Sequence, residues 1–430
     1  MLIVSVKEHR PLSDDKNFNE VFNGNEDLLK RFPYAQSESG NHLLGCFIEG
    51  WPGVIIKANY YVGVSWLEEG KSAIQVRPKV ENLDFMKMFM KCLECKDRDV
   101  QNKIHHIYGI VFNKTPLKSD DLRDEVTPFI ILHYISLLKP IIQKGLKRNY
   151  VLEEDNLQSK LKGKLLFAQH LKRNVLIKRL DRNHCRFQEY SFDCLENQIL
   201  KKATHFVSLY LKEHNLNITD DHRHTISSAN MVFGQVSDVR MSSAIERFRI
   251  NPLFKDYARA IDVAKIILRR FGYDIQQIED KSHPILPFWI DMSLLFETYV
   301  LSMLKQAYPY TIKYHIATYG NEIDFGKTDE SLIIDSKYMY WWENDVNHDN
   351  IRQLSGYARN KSIRIKLLGD IYEKEILPCL IIYPSESGVE KFAPDVLLKK
   401  PDGSLNNGCT QIEQYIEFFK VGVKLPLRHK

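Results

Sequence analysis

The stretch NEIDFGKTDESLIIDSKY, residues 321–338, contains two short runs of alternating character around a polar turn. This pattern predicts two neighbouring antiparallel strands, the first carrying Asp324 and the second carrying Asp335 and Lys337. Because side chains alternate across a strand, Asp335 and Lys337 face the same side and Ser336 faces away. Adjacent antiparallel strands can also bring Asp324 beside that pair. The sequence therefore predicts a cluster of two carboxylates and one ammonium group.

A cluster of this kind suits a magnesium site that acts on phosphate. Mg²⁺ is bound by one or two carboxylates together with water and phosphate oxygens. The metal lowers the pKa of a bound water and stabilises charge on phosphate during an in-line displacement. A lysine two residues from a ligand can orient or deprotonate the attacking water. An alternative stays open, in which Asp335 and Lys337 form a surface ion pair, because edge strands often carry lysine.

Two further features favour a buried site over a surface ion pair. The segment LLFETYVLSML places Glu297 on the same helical stripe as Leu294 and Leu301. A buried carboxylate is costly unless it is paired or bound to metal. Ile333 and Ile334 also make the second strand apolar just before its charged end. Glu297 is thus a candidate member of the site, although a structural glutamate with satisfied hydrogen bonds is the alternative.

Gln353 and Tyr357 lie four residues apart, on one face of a predicted helix that follows the strands. By itself the pair says little, because Tyr357 is equally suited to a core position. The order of the candidate residues nevertheless resembles that of the PD-(D/E)XK nuclease superfamily, and of its QxxxY-bearing branch in particular: Glu297, Asp324, Asp335-x-Lys337 and Gln353-x-x-x-Tyr357.

The wider chain resembles the McrC family, the nuclease subunits of McrBC-type modification-dependent restriction systems used in antiphage defence. The stretches that carry this likeness span about residues 54–384 and are YYVGVSWLEEGKSAIQVRPKV, LKGKLLF, DCLENQIL and FWIDMSLLFETYV. The resemblance implies a magnesium-dependent endonuclease that cuts double-stranded DNA carrying modified cytosine. It also implies a partner, a McrB-like AAA+ GTPase hexamer. That hexamer recognises the modified base and translocates, and the McrC-like subunit stimulates it by docking into its ring.

The same resemblance assigns roles at the site. Asp324 and Asp335 would be ligands of Mg²⁺, and Lys337 would be the catalytic lysine. Glu297 would be the helix glutamate that completes or supports the metal site.

Gln353 and Tyr357 would support the site or contact DNA.

One departure from the superfamily concerns the first carboxylate. Where the superfamily often has Pro-Asp, this chain has Ile323-Asp324, and Glu322 lies on the same strand face as Asp324. Glu322 therefore remains an alternative for the first metal ligand.

The change in pattern along the chain gives the domain boundaries, and the resemblance implies what the first and last domains do. We predict an α+β multidomain protein with a β-rich, partner-docking domain at 1–115, a mainly helical region at 116–283, and a PD-(D/E)XK α/β nuclease domain with a C-terminal tail at 284–430. Within the helical region, the helix around Pro140 is expected to break there. The polar stretch SSANMVFGQVSDVRMSSA, residues 227–244, is expected to be a loop or short linker.

Positive charge is concentrated in one segment of the chain, although the net charge is small. The formal net charge is +5, which is too small to establish a nucleic-acid partner. Residues 160–186 hold nine Lys or Arg side chains and one acid. This segment is either a solvated basic face or a surface that contacts phosphate. Candidates for DNA contact, which a ring partner could use equally well, are Lys172, Arg173, Lys178 and Arg179.

Cysteine usage and hydropathy favour a cytoplasmic protein without a membrane span. The seven cysteines follow no secretory signal, so reduced thiols are expected. Cys92 and Cys95 form a lone CxxC whose surroundings have helical apolar spacing, which indicates core residues rather than a zinc site. No apolar run reaches the roughly 18–20 residues that a membrane span requires.

If the chain is McrC-like, the binding and hydrolysis of GTP belong to another protein chain. The nearest match to a phosphate-binding loop is GNEIDFGKT, residues 320–328, but five residues separate its glycines where a P-loop has four. Two other functions remain as alternatives: a non-catalytic regulatory adaptor that activates an AAA+ ring GTPase, and a DNA-binding accessory module with structural carboxylates. The presence of Asp335, Lys337 and Glu297 together argues against a nuclease that has lost its activity.

Overall fold

The computed structural model divides the chain into two compact units. Residues 1–126 and 284–430 form the first unit, and residues 127–283 form the second. The beginning and the end of the chain therefore fold together. The structure describes residues 1–22, 28, 32, 46–49, 55–112, 114–117, 126–214, 218–239, 255–270, 285–318, 321–339, 346–369 and 376–428.

The N-terminal segment of the first unit is rich in strands, as the sequence predicts. Its β-branched and aromatic runs form strands because such side chains pack well on a half-buried pleated surface. A helix follows the strands, and its first turn is capped by Asp84, which accepts a hydrogen bond from the backbone N–H of Lys87 at 3.0 Å. The elements are β1 (Leu2–Lys7), α1 (Phe18–Phe22), β2 (Cys46–Glu49), β3 (Ile55–Ala58), β4 (Tyr61–Glu68), β5 (Ser72–Arg77), α2 (Phe85–Glu94), α3 (Arg98–Lys103) and β6 (Tyr108–Ile110).

The second unit combines long helices with a small antiparallel sheet. Strand β9 lies between β7 and β8 in this sheet, which we call the hairpin region, residues 149–191. The elements are α4 (Val126–Lys144), β7 (Asn149–Gln158), β8 (Lys164–Leu165), α5 (Phe167–His170), β9 (Arg182–Ser191), α6 (Leu195–His214), α7 (Asp220–Phe233) and α8 (Lys255–Arg270). The helical prediction thus holds for most of this unit but missed the sheet.

Two local predictions in the second unit were wrong. Helix α4 continues through Pro140, because Leu138 and Ile141 on either side of it are buried. Burial of each side chain stabilises by roughly 1.5–3 kcal/mol, which offsets the roughly 3 kcal/mol cost of an internal proline. The expected loop at 227–244 is helical as far as Phe233. Helix α7 buries residues at helical spacing that the polar composition of the stretch obscured.

Helix α4 is also long and apolar enough, by length and composition, to cross a membrane. The sequence prediction that no run reaches that length was therefore too strict. Of its most apolar window, 61% is buried inside the protein. A helix that is apolar all round is found in protein cores as well as in membranes.

The C-terminal segment of the first unit carries the candidate site. Its order of helix, three antiparallel strands, helices and a further strand follows the sequence prediction, and the previously unassigned tail adds two strands. The elements are β10 (Phe288–Asp291), α9 (Met292–Ala307), β11 (Ile312–Thr318), β12 (Asn321–Lys327), β13 (Leu332–Ser336), α10 (His348–Arg359), α11 (Lys361–Leu368), β14 (Cys379–Val389), β15 (Thr410–Gln411) and β16 (Phe418–Val423).

Two sheets of the first unit, as described, account for the placement of the site. The first has the order β1-β5-β4-β10-β6, and the second has the order β11-β12-β13-β14-β16-β15. In the second sheet, β12 and β13 are antiparallel with Phe325 opposite Ile334, while β13 and β14 are parallel. This register places Asp324 next to the end of β13, where Asp335 lies. The mixed α and β architecture agrees with the predicted α+β class.

Candidate active site

Asp324 is held by the end of the neighbouring strand. Its Oδ2 accepts hydrogen bonds from the backbone N–H of Ser336 at 2.8 Å and from the Ser336 hydroxyl at 2.9 Å. Charged carboxylates that accept two such bonds are well oriented. The sequence predicted Ser336 only as a residue facing away from Asp335 and Lys337. Its role as the donor that fixes Asp324 was missed.

Asp335, in β13, and Lys337, directly after the strand, form the predicted pair. Lys337 Nζ lies 2.8 Å from Asp335 Oδ2, and the Asp335 side chain is only 4% exposed. Asp335 Oδ2 is buried and receives no hydrogen bond from the described residues, so the ion pair is its compensation. The open surface ion pair considered from the sequence does not describe this pair, because the carboxylate is buried.

Glu297 projects from α9 and is held by two residues of β11. Its Oε1 accepts a hydrogen bond from the Tyr314 hydroxyl at 2.6 Å and lies 2.9 Å from His315 Nε2. His315 has a φ of 48°, a left-handed conformation that is uncommon for a residue other than glycine. The other ring nitrogen of His315, Nδ1, lies 2.7 Å from Glu322 Oε1. One imidazole therefore joins the helix carboxylate to the strand carboxylate.

Glu322 and Asp324 occupy different surroundings. The Glu322 side chain is 51% exposed and contacts His315. Asp324 lies deeper, against Ser336 and close enough to Asp335 for their charges to interact. The alternative for the first carboxylate, left open by the sequence, is therefore weighted by burial toward Asp324.

The carboxyl groups of the site lie close enough to shift one another's pKa values. Burial, together with the nearby charges of Asp335 and Glu297, raises the pKa of Asp324 to about 7. Burial likewise raises the pKa of Asp335, although Lys337 opposes the shift. For Lys337, burial lowers the pKa, but the Asp335 carboxylate outweighs burial and leaves the pKa raised. The site therefore places three carboxyl groups, those of Glu297, Asp324 and Asp335, close to Lys337.

Glu297 differs from Asp324 and Asp335 in the direction of its pKa shift. Burial alone would raise the pKa of Glu297, but the hydrogen bonds from His315 and Tyr314 lower it. Asp291, the N-cap of α9, is partly buried nearby, and desolvation raises its pKa to about 6. Glu297 is thus stabilised as an anion, whereas Asp324 holds its proton up to neutral pH.

Helix α10 brings Gln353 and Tyr357 to the site, as the four-residue spacing predicts. Lys337 Nζ donates to Gln353 Oε1 at 3.3 Å, and Gln353 Nε2 donates to the Tyr357 hydroxyl at 2.7 Å. Tyr357 also packs in the apolar core between α10 and the sheet. The Tyr357 ring is therefore a core residue, and its hydroxyl ends a chain of contacts that begins at Lys337.

The donors present suit magnesium better than a metal that needs a closed cage. The described residues contain no group of three or more His, Cys, Asp and Glu side chains placed to hold one ion, so Glu297, Asp324 and Asp335 do not form a ready three-ligand set. Mg²⁺ requires only one or two carboxylates, because water and phosphate supply its other ligands. The partly buried Asp324 and the buried Asp335, on adjacent strands, meet that requirement. Glu297 is engaged by Tyr314 and His315 instead.

Tyr314 and His315 are functional candidates that the sequence analysis missed. Both belong to the predicted strand TIKYHIATY, which precedes the strand of Asp324. A signal was present, because a buried glutamate requires donors and the adjacent strand offered a hydroxyl and an imidazole. The left-handed turn of His315 could not be read from the pattern.

The predicted basic candidates lie in the second unit, on the hairpin region. Residues Lys172 and Arg173 belong to a π-helical turn, Leu171–Val175, and Lys178 and Arg179 follow it. All four side chains are exposed.

Comparisons with known proteins give one family match and similarities to two solved structures. A family model described as McrBC 5-methylcytosine restriction system component matches residues 56–362. Among solved structures, the chain is similar to a Thermococcus gammatolerans assembly of McrB AAA+ hexamers with bound McrC, at 18% identity and a TM-score of 0.43, covering 98% of this chain and 94% of that one. It is also similar to the Thermococcus gammatolerans McrBC complex, at 17% identity and a TM-score of 0.33, covering 71% of this chain and 88% of that one. No curated protein sequence matches the chain.

Proposed function

The chain belongs to the McrBC 5-methylcytosine restriction system component family, and from that premise we propose that it is the DNA-cleaving, McrC-type subunit of such a system. On this proposal residues 284–430 are a PD-(D/E)XK nuclease domain that depends on Mg²⁺. One observation carries the proposal: two aspartates on adjacent strands, the partly buried Asp324 and the buried Asp335, lie beside Lys337, whose ammonium is 2.8 Å from Asp335. A structural ion pair would need only one of these carboxylates.

Asp324 and Asp335 would hold the metal, and Ser336 would keep Asp324 oriented toward it. When bound, Mg²⁺ supplies an acidified water and neutralises charge on the scissile phosphate. Lys337 is a cation at neutral pH because its pKa is raised. Its ammonium would therefore donate to a phosphate oxygen as negative charge develops there.

Glu297 and Gln353 would support this arrangement from two helices. Glu297 anchors Tyr314 and His315 on the outer strand of the sheet, next to the strand of Asp324. Gln353 accepts from Lys337 and so limits the directions in which the ammonium can point. Neither residue needs to contact the metal for its loss to slow cleavage.

The partner on this proposal is an AAA+ GTPase hexamer of the McrB type, and the target is double-stranded DNA with modified cytosine. The hairpin region of the second unit supports a protein partner, because it exposes many large apolar side chains. Those at least 55% exposed are Tyr150, Leu152, Leu161, Phe167, Leu176, Ile177, Leu180 and Tyr190. Residues 1–115 are the docking domain expected from the sequence, and the hairpin region is a second candidate surface. Its basic side chains suit an acidic partner surface as well as phosphate.

Charge substitutions on the hairpin region are expected to weaken stimulation of the partner GTPase. Leu176 is 70% exposed and Leu180 is 76% exposed, so Leu176→Asp and Leu180→Asp leave the fold intact. If these side chains are buried at the interface, the double variant should need at least about tenfold more protein to stimulate GTP hydrolysis. Steady-state GTPase titrations measure this. Met231→Asp, at an apolar position of α7 that is 76% exposed, is the control. Equal titration curves for all three proteins would remove the hairpin region from the interface.

Reconstitution tests the function as a whole. The purified chain is expected to cut DNA poorly alone, and to cut cytosine-modified DNA when its cognate GTPase, GTP and Mg²⁺ are all present. Omission of each component, unmodified DNA, and EDTA are the controls. The proposal fails if the complete mixture does not cut, or if cutting persists in EDTA. Stimulation of the GTPase without any cleavage would support the adaptor alternative instead.

A further inference from the structure

Tyr338, the residue directly after Lys337, is held by Glu8 and Lys79 at the edge of the N-terminal sheet, and we call these two residues the clamp. The Tyr338 side chain is buried, and its hydroxyl donates to Glu8 Oε2 at 3.4 Å. Lys79 Nζ donates to the backbone carbonyl of Tyr338 and lies 3.7 Å from the centre of the Tyr338 ring. Glu8 follows β1 and Lys79 follows β5, so the ends of two adjacent strands of the first sheet hold the end of β13.

Glu8 and Lys79 also bind each other. The backbone N–H of Lys79 donates to Glu8 Oε2 at 2.9 Å, and Glu8 is 2% exposed. Burial raises the pKa of Glu8 to about 7 and lowers the pKa of Lys79 to about 8. A buried pair of this kind adds little stability, because desolvation cancels much of its attraction. Its position therefore calls for an explanation other than stability.

The clamp acts on the backbone that carries Lys337. On one side, the backbone N–H of Lys337 donates to the carbonyl of Ile382 in β14 at 2.9 Å. On the other side, Lys79 holds the carbonyl of the next residue. The Tyr338 ring also lies 5.7 Å from the ring of Phe296, which precedes Glu297 on α9. Tyr338 is thus packed between the N-terminal sheet and the helix that contributes Glu297.

We propose that Glu8 and Lys79 are positioning residues for Lys337, which makes the N-terminal sheet a working part of the nuclease site. This inference rests on the function proposed above. Lys79 belongs to YYVGVSWLEEGKSAIQVRPKV, residues 60–80, a stretch to which the carboxylate cluster gives no role. Without the clamp, the chain after β13 loses its charged anchor, and the Lys337 ammonium loses its fixed distance to Asp335. An error of about 1 Å in such a group can cost on the order of 100-fold in rate.

The test is single-turnover DNA cleavage by the complete complex with Lys79→Met, Lys79→Arg and Lys71→Met. Methionine keeps the length of the side chain but removes its donor and charge. Cleavage by Lys79→Met should fall by on the order of 10- to 100-fold, while DNA affinity and GTPase stimulation stay near wild type. Lys79→Arg should restore most of the rate. Lys71, an exposed lysine paired with Glu68 beside the same strand, is the matched control, and its variant should cut normally.

Each outcome bears on a different claim. If wild type does not cut, the proposed function fails and this inference fails with it. If wild type cuts and folded Lys79→Met cuts equally well, only the positioning role is overturned. Parallel losses of cleavage, GTPase stimulation and melting temperature would mean that Lys79 is merely structural. If Lys79→Met does not fold, Lys79→Gln replaces it, because glutamine retains a donor for the Tyr338 carbonyl. Lys79→Gln is expected to cut DNA at an intermediate rate. Cleavage by Lys79→Gln at the wild-type rate would contradict the proposal.

Discussion

Asp335→Asn is expected to lower DNA cleavage by about 1000-fold or more while the complex still stimulates GTP hydrolysis. The substitution keeps the size of the side chain, so the buried strand that carries it should fold normally. It removes the negative charge that would hold the metal and that now pairs with Lys337. Loss of about 4 kcal/mol of transition-state stabilisation corresponds to about three orders of magnitude in rate.

The measurement is single-turnover cleavage of modified DNA with saturating partner, GTP and Mg²⁺. Asp349→Asn is the matched control, because Asp349 lies in the first turn of α10 with its side chain 84% exposed. It should cut at the wild-type rate. Cleavage by Asp335→Asn within about tenfold of wild type would show that Asp335 is not a metal ligand. Loss of GTPase stimulation in the same variant would indicate a damaged fold rather than a damaged site.

The predictable part of the site is the part governed by short-range periodicity. A period of two put Asp335 and Lys337 on one side, and a four-residue spacing put Gln353 over Tyr357. Both contacts are present at 2.8 Å and 2.7 Å. Antiparallel pairing of adjacent strands brought Asp324 to the same place. These relations need only a few residues of sequence to be visible.

The contacts that were missed depend on distant sequence or on unusual backbone. Lys79 and Tyr338 are 259 positions apart, and no local pattern joins them. His315 reaches Glu297 from a left-handed backbone conformation that sequence alone does not reveal. The hairpin region was read as helical because β7, NYVLEEDNLQ, is mostly exposed and lacks a buried apolar face. Each failure occurred where tertiary contacts, rather than local preference, decide the structure.

A second large effect is expected on stability rather than on rate. Asp324→Asn should make the metal-free protein more stable at pH 8, although it abolishes cleavage. The Asp324 carboxyl has a pKa of about 7 when folded, against an ordinary value of 3.8. A raised folded pKa means that stability is fully present below the unfolded pKa and is lost as pH rises through about 7. At pH 8 the ionised carboxylate therefore costs up to about 4 kcal/mol, and its coupling to Asp335 and Glu297 makes about 2 kcal/mol a fair expectation.

Asparagine removes this cost without removing the local contacts. Its side-chain oxygen can still accept from the backbone N–H and the hydroxyl of Ser336, the two bonds that orient Asp324. In EDTA, chemical denaturation should show the variant more stable than wild type at pH 8, with the difference shrinking toward pH 5. Asp349→Asn, on an exposed surface, should show no such dependence.

Magnesium should reverse the order of stability of wild type and Asp324→Asn. A cation bound between Asp324 and Asp335 offsets the repulsion of their charges, so Mg²⁺ is expected to stabilise wild type in proportion to the logarithm of its concentration above the dissociation constant. The variant lacks one ligand and should respond weakly. Functional sites commonly carry charges that cost stability until their ligand is bound, and this pair of aspartates would be an instance. If Mg²⁺ stabilised wild type and Asp324→Asn equally, the metal would bind elsewhere, and Asp324 would be a buried acid without a catalytic ligand.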